Sequence, residues 1–423
     1  MILAGAASID ITPPPGLAMA GFGVRTEPAT GAHDPLTVRA VAVGATALVA
    51  VDVLALDLTT TDRIRARCSL PADRVVIAAT HTHGGPHTNL HRQPSHHDEA
   101  YMARLEDACV AAIEAALDAR RPARLRFGTG ADPGVGKNRR HPNGLTDTLL
   151  PVVEIAGVDG TPVATLVAYA CHPVVLGANN RQWTADYPGF VRARIEQERP
   201  GTLAVFFTGC CGDVNTGHSA HASNTLAAQG ARTYETAERL GLRIGEAALA
   251  APLEDVDGAV GAASRLVRLG FERREQESME QLAARWRAAR DAATDPAQQI
   301  LLTSWVDWAE RGLPANLGTL EVETRVTALN WAGIEIAALP GELFAETAVR
   351  VRSGAGSPRA FLVSMADDNP GYIPPASEFA FGGYEVDEAH RYYGNPATFA
   401  PGSAELLADT AIALLGRLKS TSA

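Results

Sequence analysis

The sequence contains few lysines and cysteines and has an excess of acidic residues. Lys137 and Lys419 are its only lysines, and its five cysteines form no Cys-x-x-Cys pair, which argues against a disulfide scaffold or a cysteine-type zinc finger. Asp and Glu number 48 against 37 Lys and Arg. The resulting net charge of −11 disfavours a protein that binds nucleic acid.

Sequence features of membrane insertion and export are also lacking. No uncharged apolar run reaches the roughly 18 residues that a transmembrane helix needs. The N-terminal MILAGAASIDITPPPG has neither the basic start nor the long apolar stretch of a signal peptide. We therefore expect a cytoplasmic protein with no integral membrane segment.

Several common catalytic motifs do not occur. There is no Gly-x-Ser-x-Gly, no phosphate-binding loop and no Gly-x-Gly-x-x-Gly that opens a helix after a strand. A metallo-β-lactamase motif would need aspartate where Gly85 stands, and Lys137 is the only internal lysine for the metal bridge of a TIM-barrel amidohydrolase. A thiol nucleophile at Cys210 or Cys211 is disfavoured, since nothing near them in the sequence indicates a lowered pKa.

What is present is the composition of a globular protein with strands and helices in alternation. The 423 residues are 46% hydrophobic and 20% charged. Their spacing predicts strands over Val38–Leu58, a helix over Asp98–Arg120 and a hairpin that turns at Asp159-Gly160. Residues 271–312 are charged and rich in alanine, which predicts two helices that leave the sheet. We expect an α/β fold with a mixed sheet core and interleaved helices, in a single domain over residues 1–423.

Histidines are concentrated between residues 81 and 97. His81 and His83 directly follow an apolar strand in the segment ATHTHGGPH. In an extended segment, side chains two residues apart point the same way, so both imidazoles can converge on one metal ion. A histidine-rich surface loop explains the pair about equally well. The remaining histidines of this region are expected in a solvated loop: His87, His91, His96 and His97.

Polar clusters follow four other predicted strands. They are Cys171-His172-Pro173, CCGDVN at 210–215, Pro340-Gly341-Glu342 and DDNPGY at 367–372. We expect Glu342 at the start of a helix over Glu342–Arg352, where a carboxylate also favours the helix dipole. Polar groups at several strand ends of one α/β chain predict a functional site at that edge of the sheet.

These motifs together resemble the neutral (non-lysosomal) ceramidases and their bacterial relatives. The resemblance extends in family order from about residue 4 to about residue 390. It is carried by GAASIDITPPPG, MAGFG, GAHDPLTVRAVAV, ATHTHGGP, KNRRHP, CHPVVLGANNRQWTADYPG, CCGDVN, LPGELFAETAVR and NPGYIPPASEFAFGGYE. The catalytic domain of that family is a mixed α/β fold that holds one zinc ion, so the resemblance implies one zinc ion per chain.

Matching the motifs position by position assigns roles to individual residues. The implied zinc ligands are His81, His172, Glu342 and Tyr372. The resemblance places His83 beside the zinc-bound water as the catalytic base and Arg139 at the head of the substrate. Tyr372 is implied in catalysis as well as in metal binding.

The sequence also departs from the family pattern near the expected substrate head. Gly84 stands where the family has serine, Cys210 where it has asparagine, and Asn215 where it has serine. The residues expected to contact the substrate are Gly84, Asn138, Asp213 and Asn215. We therefore expect a substrate smaller and more soluble than ceramide. We expect no C-terminal immunoglobulin-like domain of the kind that the family has, and we expect residues 271–312 to be a helical insertion.

The function predicted is that of a zinc-dependent amidohydrolase that cleaves a non-peptide C–N bond in a linear, small-molecule amide. An esterase or lactonase using the same zinc site is the first alternative. A non-catalytic binding protein on the same fold is the second. The substrate and the oligomeric state cannot be read from the sequence.

Overall fold

We analysed a computed structural model of the chain, which describes residues 2–90 and 96–420. The α-helices are α1 Leu58–Arg65, α2 Glu99–Asp118, α3 Tyr187–Glu198, α4 Tyr234–Leu249, α5 Met279–Ala292, α6 Pro296–Arg311, α7 Ala345–Ala355 and α8 Ser403–Ser420. The strands of the first half are β1 Ile2–Asp10, β2 Gly31–Ala32, β3 Thr37–Val43, β4 Thr46–Val51, β5 Val75–Ala79, β6 Arg121–Gly130, β7 Lys137–Asn138, β8 Leu150–Gly157, β9 Pro162–Tyr169 and β10 Gln182–Trp183. The strands of the second half are β11 Leu203–Thr208, β12 Val214–Asn215, β13 Glu254–Val256, β14 Val260–Glu272, β15 Glu321–Trp331, β16 Ile334–Ala338, β17 Glu342–Leu343, β18 Ala360–Val363, β19 Tyr372–Ile373 and β20 Thr398–Phe399.

Two mixed sheets form the centre of the molecule. The larger has the strand order β11-β9-β8-β6-β1-β3-β4-β5, with β13 added on β6, and the smaller has the order β18-β16-β15-β14-β20. Apolar side chains of the two sheets pack against each other, among them Val41 and Leu48 from the larger and Trp331 and Phe361 from the smaller. The α/β fold with a mixed sheet core is thereby confirmed.

Helices cover the outer face of each sheet. Helix α2 packs on the larger sheet through residues such as Leu105 and Ile113, and α3 and α4 pack further along the same face through residues such as Val191 and Ile244. Helices α7 and α8 cover the smaller sheet. The order of layers is therefore helices, sheet, sheet, helices, which buries the apolar residues of both sheets on both faces.

Three parallel strand pairs are joined by helical crossovers. Helix α1 connects β4 to β5, α3 connects β9 to β11, and α7 connects β16 to β18. Parallel neighbours end at the same edge of a sheet, so the loops that follow them come together there. Those loops carry the polar clusters singled out in the sequence.

Residues 279–311 form a helical hairpin, α5 and α6, outside the two sheets. Ser278 caps α5 with a complete capping box, and Asp295 followed by Pro296 starts α6. The hairpin is shorter than the predicted range of 271–312, because Phe271 and Glu272 still belong to the long strand β14. That strand and the N-terminal β1 were not predicted.

Candidate metal centre and active site

The ends of β5, β9 and β16 bring His81, His172 and Glu342 together in the interior. All three residues are 1% exposed. The ring centroids of His81 and His172 lie 4.9 Å apart, and Glu342 Oε2 lies 3.4 Å from His81 Nε2 and 3.0 Å from His172 Nε2. Residues far apart in the sequence therefore direct three potential ligands at one point.

His81 adopts a left-handed backbone conformation, with φ of 65°, directly after β5. The expectation of an extended His-x-His segment is therefore wrong at this residue. Its Nδ1 lies 2.7 Å from the carbonyl oxygen of Leu54, which can only accept, so Nδ1 must carry the proton. Nε2 is buried and has no hydrogen-bond partner among the residues described. With Nδ1 held by a backbone carbonyl, Nε2 is the nitrogen that faces the Glu342 carboxylate and that a metal ion would bind.

His172 is held in the same way. Its Nδ1 lies 2.7 Å from the carbonyl oxygen of Cys211, so Nε2 is the nitrogen that faces Glu342. Burial lowers the pKa of His172 to about 4, with Arg139 nearby adding to that effect. A neutral imidazole and a carboxylate then face each other with lone pairs, an arrangement that a cation between them would stabilise.

Glu342 lies in the two-residue strand β17, paired in parallel with Tyr372 of β19. The predicted position at a helix start is wrong, since α7 begins only at Ala345. Burial works to raise the pKa of Glu342, but the protonated forms of His81 and His172 hold it well below its ordinary value. The carboxylate is therefore available as an anionic ligand at neutral pH.

Tyr372 joins this group at the same ring nitrogen of His172 that faces Glu342. Its hydroxyl lies 3.3 Å from His172 Nε2 and accepts a hydrogen bond of 2.9 Å from Arg139 Nη2. Arg139 is held in turn by the Glu385 carboxylate at 2.8 Å and the Gly212 carbonyl at 2.9 Å. The structure therefore brings the four predicted ligands and Arg139 into one connected group.

His83 also joins this group, and its geometry allows two roles. Its ring centroid lies 5.2 Å from that of His81 and 6.2 Å from that of His172. One ring nitrogen from each of His81, His83 and His172 lies within 4.8 Å of the others, so these three histidines alone could hold a metal ion. The distances are compatible with His83 as a ligand and equally with His83 beside a ligand-bound water.

The residues predicted to contact the substrate are largely occupied by the protein itself. Gly84 packs so closely on Thr184 that a Cβ atom would lie 2.5 Å from it, which explains glycine at this position. Asn138 donates to Asp213 at 2.9 Å, and Asp213 also accepts from the Ala345 N–H. The Asn215 amide holds the turn at residues 217–218. These contacts organise the loops around the site, and direct contact with a substrate stays a prediction.

The two adjacent cysteines are poor nucleophiles. Both are fully buried. Burial raises the pKa of the Cys210 thiol to about 12 and that of the Cys211 thiol well above its ordinary value. A thiolate mechanism is therefore not supported.

Sequence reasoning missed two residues that hold the site. The Tyr393 hydroxyl donates to Glu342 Oε1, and the Glu385 carboxylate binds both Arg139 and Arg140. Glu385 and Tyr393 lie on consecutive short turns, residues 384–388 and 389–393. The aromatic-rich GGYEVDEAHRYYGN was the only available signal, and it does not reveal which residue points inward.

A cavity of about 610 Å³ adjoins the group of histidines. It lies between residues 18–26, the histidine-rich loop, α6 and residues 384–392. The ring centroids of His87 and His96 lie 5.7 Å apart on its wall; His96 is exposed, as expected for a solvated loop, whereas His87 is half-buried. His97 lies near the surface beside Glu99, and His91 falls outside the described residues.

No helix in the described parts of the chain is long and apolar enough to span a membrane.

Fold and site together define a mixed α/β protein with a buried histidine–carboxylate group at its strand ends. The chain has the fold of two solved structures, a ceramidase complexed with C2 and the neutral ceramidase from Pseudomonas aeruginosa. Each superposes with a TM-score of 0.75 and 16% sequence identity, over 100% of this chain and 76% and 75% of the other chains, respectively. No protein-family model and no curated protein sequence matches the chain. The resemblance to neutral ceramidases is thus confirmed as a likeness of fold.

Proposed function

We propose that the protein is a zinc-dependent hydrolase of a linear, non-peptide amide. The observation that carries the proposal is the convergence of His81, His172 and Glu342, whose inward-facing atoms have the character of metal ligands. Two imidazole nitrogens, a carboxylate and a phenol match the donor types and the number that zinc prefers. The shared fold with two ceramidases supports the same conclusion.

A zinc ion held by His81, His172, Glu342 and Tyr372 would supply a Lewis acid for the scissile carbonyl and a water activated at neutral pH. In the proposed reaction, His83 accepts a proton from the attacking water and returns one to the leaving nitrogen. Arg139 stabilises the negative charge that develops on the carbonyl oxygen. Water adds to the carbonyl carbon, the C–N bond breaks, and a carboxylic acid and an amine leave.

The depth of burial suggests what enters the site. The cavity of about 610 Å³, whose wall residues Gly21 and Phe22 contact His83, is within the 300–1,000 Å³ that small-molecule sites commonly have. We expect short, soluble N-acyl compounds to be turned over better than long-chain ceramide. A cytoplasmic location and a single catalytic domain over residues 1–423 remain predictions from the sequence.

The test combines metal analysis with matched substrates. Protein purified without chelators is expected to contain about one zinc per chain. The zinc-loaded protein is then assayed on short N-acyl amides, on their ester analogues and on long-chain ceramide. Faster turnover of the esters would favour the esterase alternative, and faster turnover of ceramide would refute the predicted preference. A protein with neither metal nor turnover would be a binding protein.

A further inference from the structure

One wall of the cavity contains a buried arginine with no acidic partner. Several arginines of the described chain are at least nine-tenths buried, among them Arg25, Arg65, Arg192 and Arg391. Three of them form ion pairs, Arg65 with Asp367, Arg192 with Asp52 and Arg391 with Glu275. Arg25, 7% exposed, forms none with any described carboxylate. A buried cation is costly to maintain, so the missing anion calls for an explanation.

The contacts of Arg25 satisfy only part of its guanidinium group. Nη1 donates to the carbonyl of Asn180 at 3.1 Å, and Nη2 donates to the carbonyls of Ala20 and His83. Nε is buried and has no hydrogen-bond partner among the described residues. Arg25 is also one of the residues that line the cavity, so this unpaired N–H group belongs to a side chain of the cavity wall.

A second arginine strengthens the positive character of this wall. The guanidinium carbons of Arg25 and Arg232 lie 5.0 Å and 5.4 Å from the ring centroid of Phe22. Arg232 forms no direct ion pair with a described carboxylate, although the charge of Asp186 acts on it, and it donates to the carbonyls of Val174, Val175 and Leu176. Burial, together with the charge of Arg232, lowers the pKa of Arg25 to about 9, so both side chains remain charged at neutral pH.

Arg25 is also close to the proposed chemistry. Its Nη2 lies 2.6 Å from the carbonyl oxygen of His83, and the Phe22 ring lies 4.9 Å from the His83 ring. Gly21 has a φ of 106° and lies very close to His83. A Cβ atom on this residue would be 2.6 Å from the imidazole ring. In the proposed function, His83 delivers the proton to the leaving nitrogen. Arg25 therefore lies on the amine side of the scissile bond.

We propose that the substrate is an N-acyl amino acid, whose carboxylate is bound by Arg25 with Arg232 behind it. This rests on the proposed amide hydrolysis and identifies its substrate class. The carboxylate carbon of an N-acyl amino acid is two bonds from the leaving nitrogen. This carboxylate would pair with Arg25, as protein carboxylates pair with the other buried arginines. The acyl group would lie next to the metal ligands.

The test uses a pair of substrates that differ in this charge alone. N-butanoylglycine and N-butanoylethanolamine have similar size, but only the first carries a carboxylate. We expect the zinc-loaded wild type to show kcat/KM about 10- to 100-fold higher for N-butanoylglycine, mainly through KM, as for a hydrogen bond to a charged group. Arg25→Gln should remove this preference, and Arg25→Lys should retain part of it.

Arg25 also donates hydrogen bonds to three backbone carbonyl groups, so its substitution could disturb the surrounding loop. A second variant therefore changes the charge that a bound carboxylate would experience and leaves Arg25 in place. Asp307 lines the cavity on the exposed side of α6. Asp307→Asn should increase the preference for N-butanoylglycine about two- to threefold by removing a repulsive charge. Glu310→Gln on the same helix is the control and should change nothing, since Glu310 pairs with Arg287 at the surface.

The outcomes separate this inference from the proposed function. If N-butanoylethanolamine is hydrolysed but N-butanoylglycine is not preferred, the inference is wrong and the hydrolase function stands. A preference that survives in folded Arg25→Gln, or a stronger preference for a carboxylate on the acyl side, as in N-ethylsuccinamate, also overturns it. If zinc-loaded protein hydrolyses neither compound nor any other amide, the proposed function itself fails.

Discussion

The strand-end site and the α5–α6 hairpin are held to the molecule in different ways. At the site, backbone carbonyls of Leu54 and Cys211 orient the two histidines, and the surrounding strands exclude water. The hairpin instead attaches through side chains. The guanidinium carbon of Arg391 lies 4.8, 4.9 and 5.5 Å from the ring centroids of Trp286, Trp305 and Trp308. A backbone carbonyl accepts a hydrogen bond whatever side chain its residue carries, so the orientation of the histidines depends on the course of the strands, whereas the docking of the hairpin depends on the identity of its aromatic side chains.

The segment of residues 392–395 links the two regions by hydrogen bonds. Trp305 Nε1 donates to the Tyr392 hydroxyl at 2.7 Å, and Trp308 Nε1 donates to the Asn395 carbonyl at 2.8 Å. The adjacent Tyr393 donates to the ligand candidate Glu342. The hairpin thus forms part of the cavity wall and reaches the site region through this segment and through Phe22 and Val24, which pack with Ala297 and Leu301 of α6. We infer that the strand ends set the chemistry and that the hairpin adjusts which substrate fits.

The comparison predicts that damage at the strand ends has the largest effect. Glu342→Gln removes an anionic ligand but keeps the shape, so zinc and activity should be lost together, with activity falling by at least about 10⁴-fold. His81→Ala should behave in the same way. Zinc content and turnover are measured on the same preparation. The exposed Glu321→Gln is the matched control, and full zinc occupancy in Glu342→Gln would show that Glu342 is no ligand.

His83→Ala separates a catalytic base from a ligand. We expect zinc affinity close to that of the wild type and a kcat lower by about 10²–10⁴-fold, the usual contribution of a general base. The pH–rate profile should also lose its acidic limb. Zinc titration and kinetics decide the matter. Loss of zinc along with activity would make His83 a third histidine ligand, as its distances to His81 and His172 also permit.

The sequence predicted which residues form this site better than it predicted the geometry of those residues. His81, His172, Glu342 and Tyr372 were found from motifs, and they do come together. The motif did not show that His81 has a left-handed backbone or that Glu342 lies in a short strand paired with Tyr372. Both features depend on strands that are distant in the sequence, which local patterns do not encode.

The same limit explains the residues that were missed. Arg25 and Tyr393 acquire their roles from burial and from partners far along the chain, and neither stands in a spacing that indicates a site. Strand β14 was overlooked because its exposed residues interrupt the apolar pattern over 13 residues. Helices such as α2, with a continuous apolar stripe, were predicted to within about two residues.

Tyr393→Phe tests the contact between the linking segment and the strand-end site. Removing the hydroxyl that donates to Glu342 should weaken zinc affinity by about 10- to 100-fold, as for other residues that orient metal ligands. Turnover at saturating zinc should change less. Zinc affinity is measured by competition with a chromogenic chelator, and Tyr392→Phe, one residue away, is the control. Equal zinc affinity in Tyr393→Phe and wild type would contradict a positioning role.

Trp286→Ala tests the contact between the linking segment and the α5–α6 hairpin, where Trp286 packs on the adjoining Arg391. The loss of this ring should destabilise the docked hairpin by about 3 kcal/mol, as expected for a large core truncation. Amide hydrogen exchange should increase in α5 and α6 while the strand ends stay protected. Zinc content should be unchanged, and activity should fall by less than about tenfold. The exposed Arg287→Met on α5 is the control, and increased exchange at β5 or β9 would show that the two regions are not separable.

Acid should lower the stability of the docked hairpin by protonating Glu275. This is the smallest effect that we predict. Glu275 contacts Arg391 at 3.2 Å and His390 at 3.3 Å. Burial acts to raise the pKa of Glu275, but these two neighbours lower it from 4.5 to about 2. A carboxyl group with a depressed folded-state pKa stabilises the protein above its unfolded-state pKa, and this stabilisation is lost as the pH falls through the folded-state value.

The window for this loss therefore runs from about pH 4.5 down to about pH 2. At neutral pH, Glu275→Gln should lower the free energy of unfolding by about 1 kcal/mol, the scale of an ion pair that is partly screened by solvent. The difference from wild type should shrink steadily below pH 4.5. Denaturant unfolding of the metal-free protein measures it without a contribution from zinc release. A difference that stays constant across this range would mean that Glu275 supports the hairpin through packing and not through its charge.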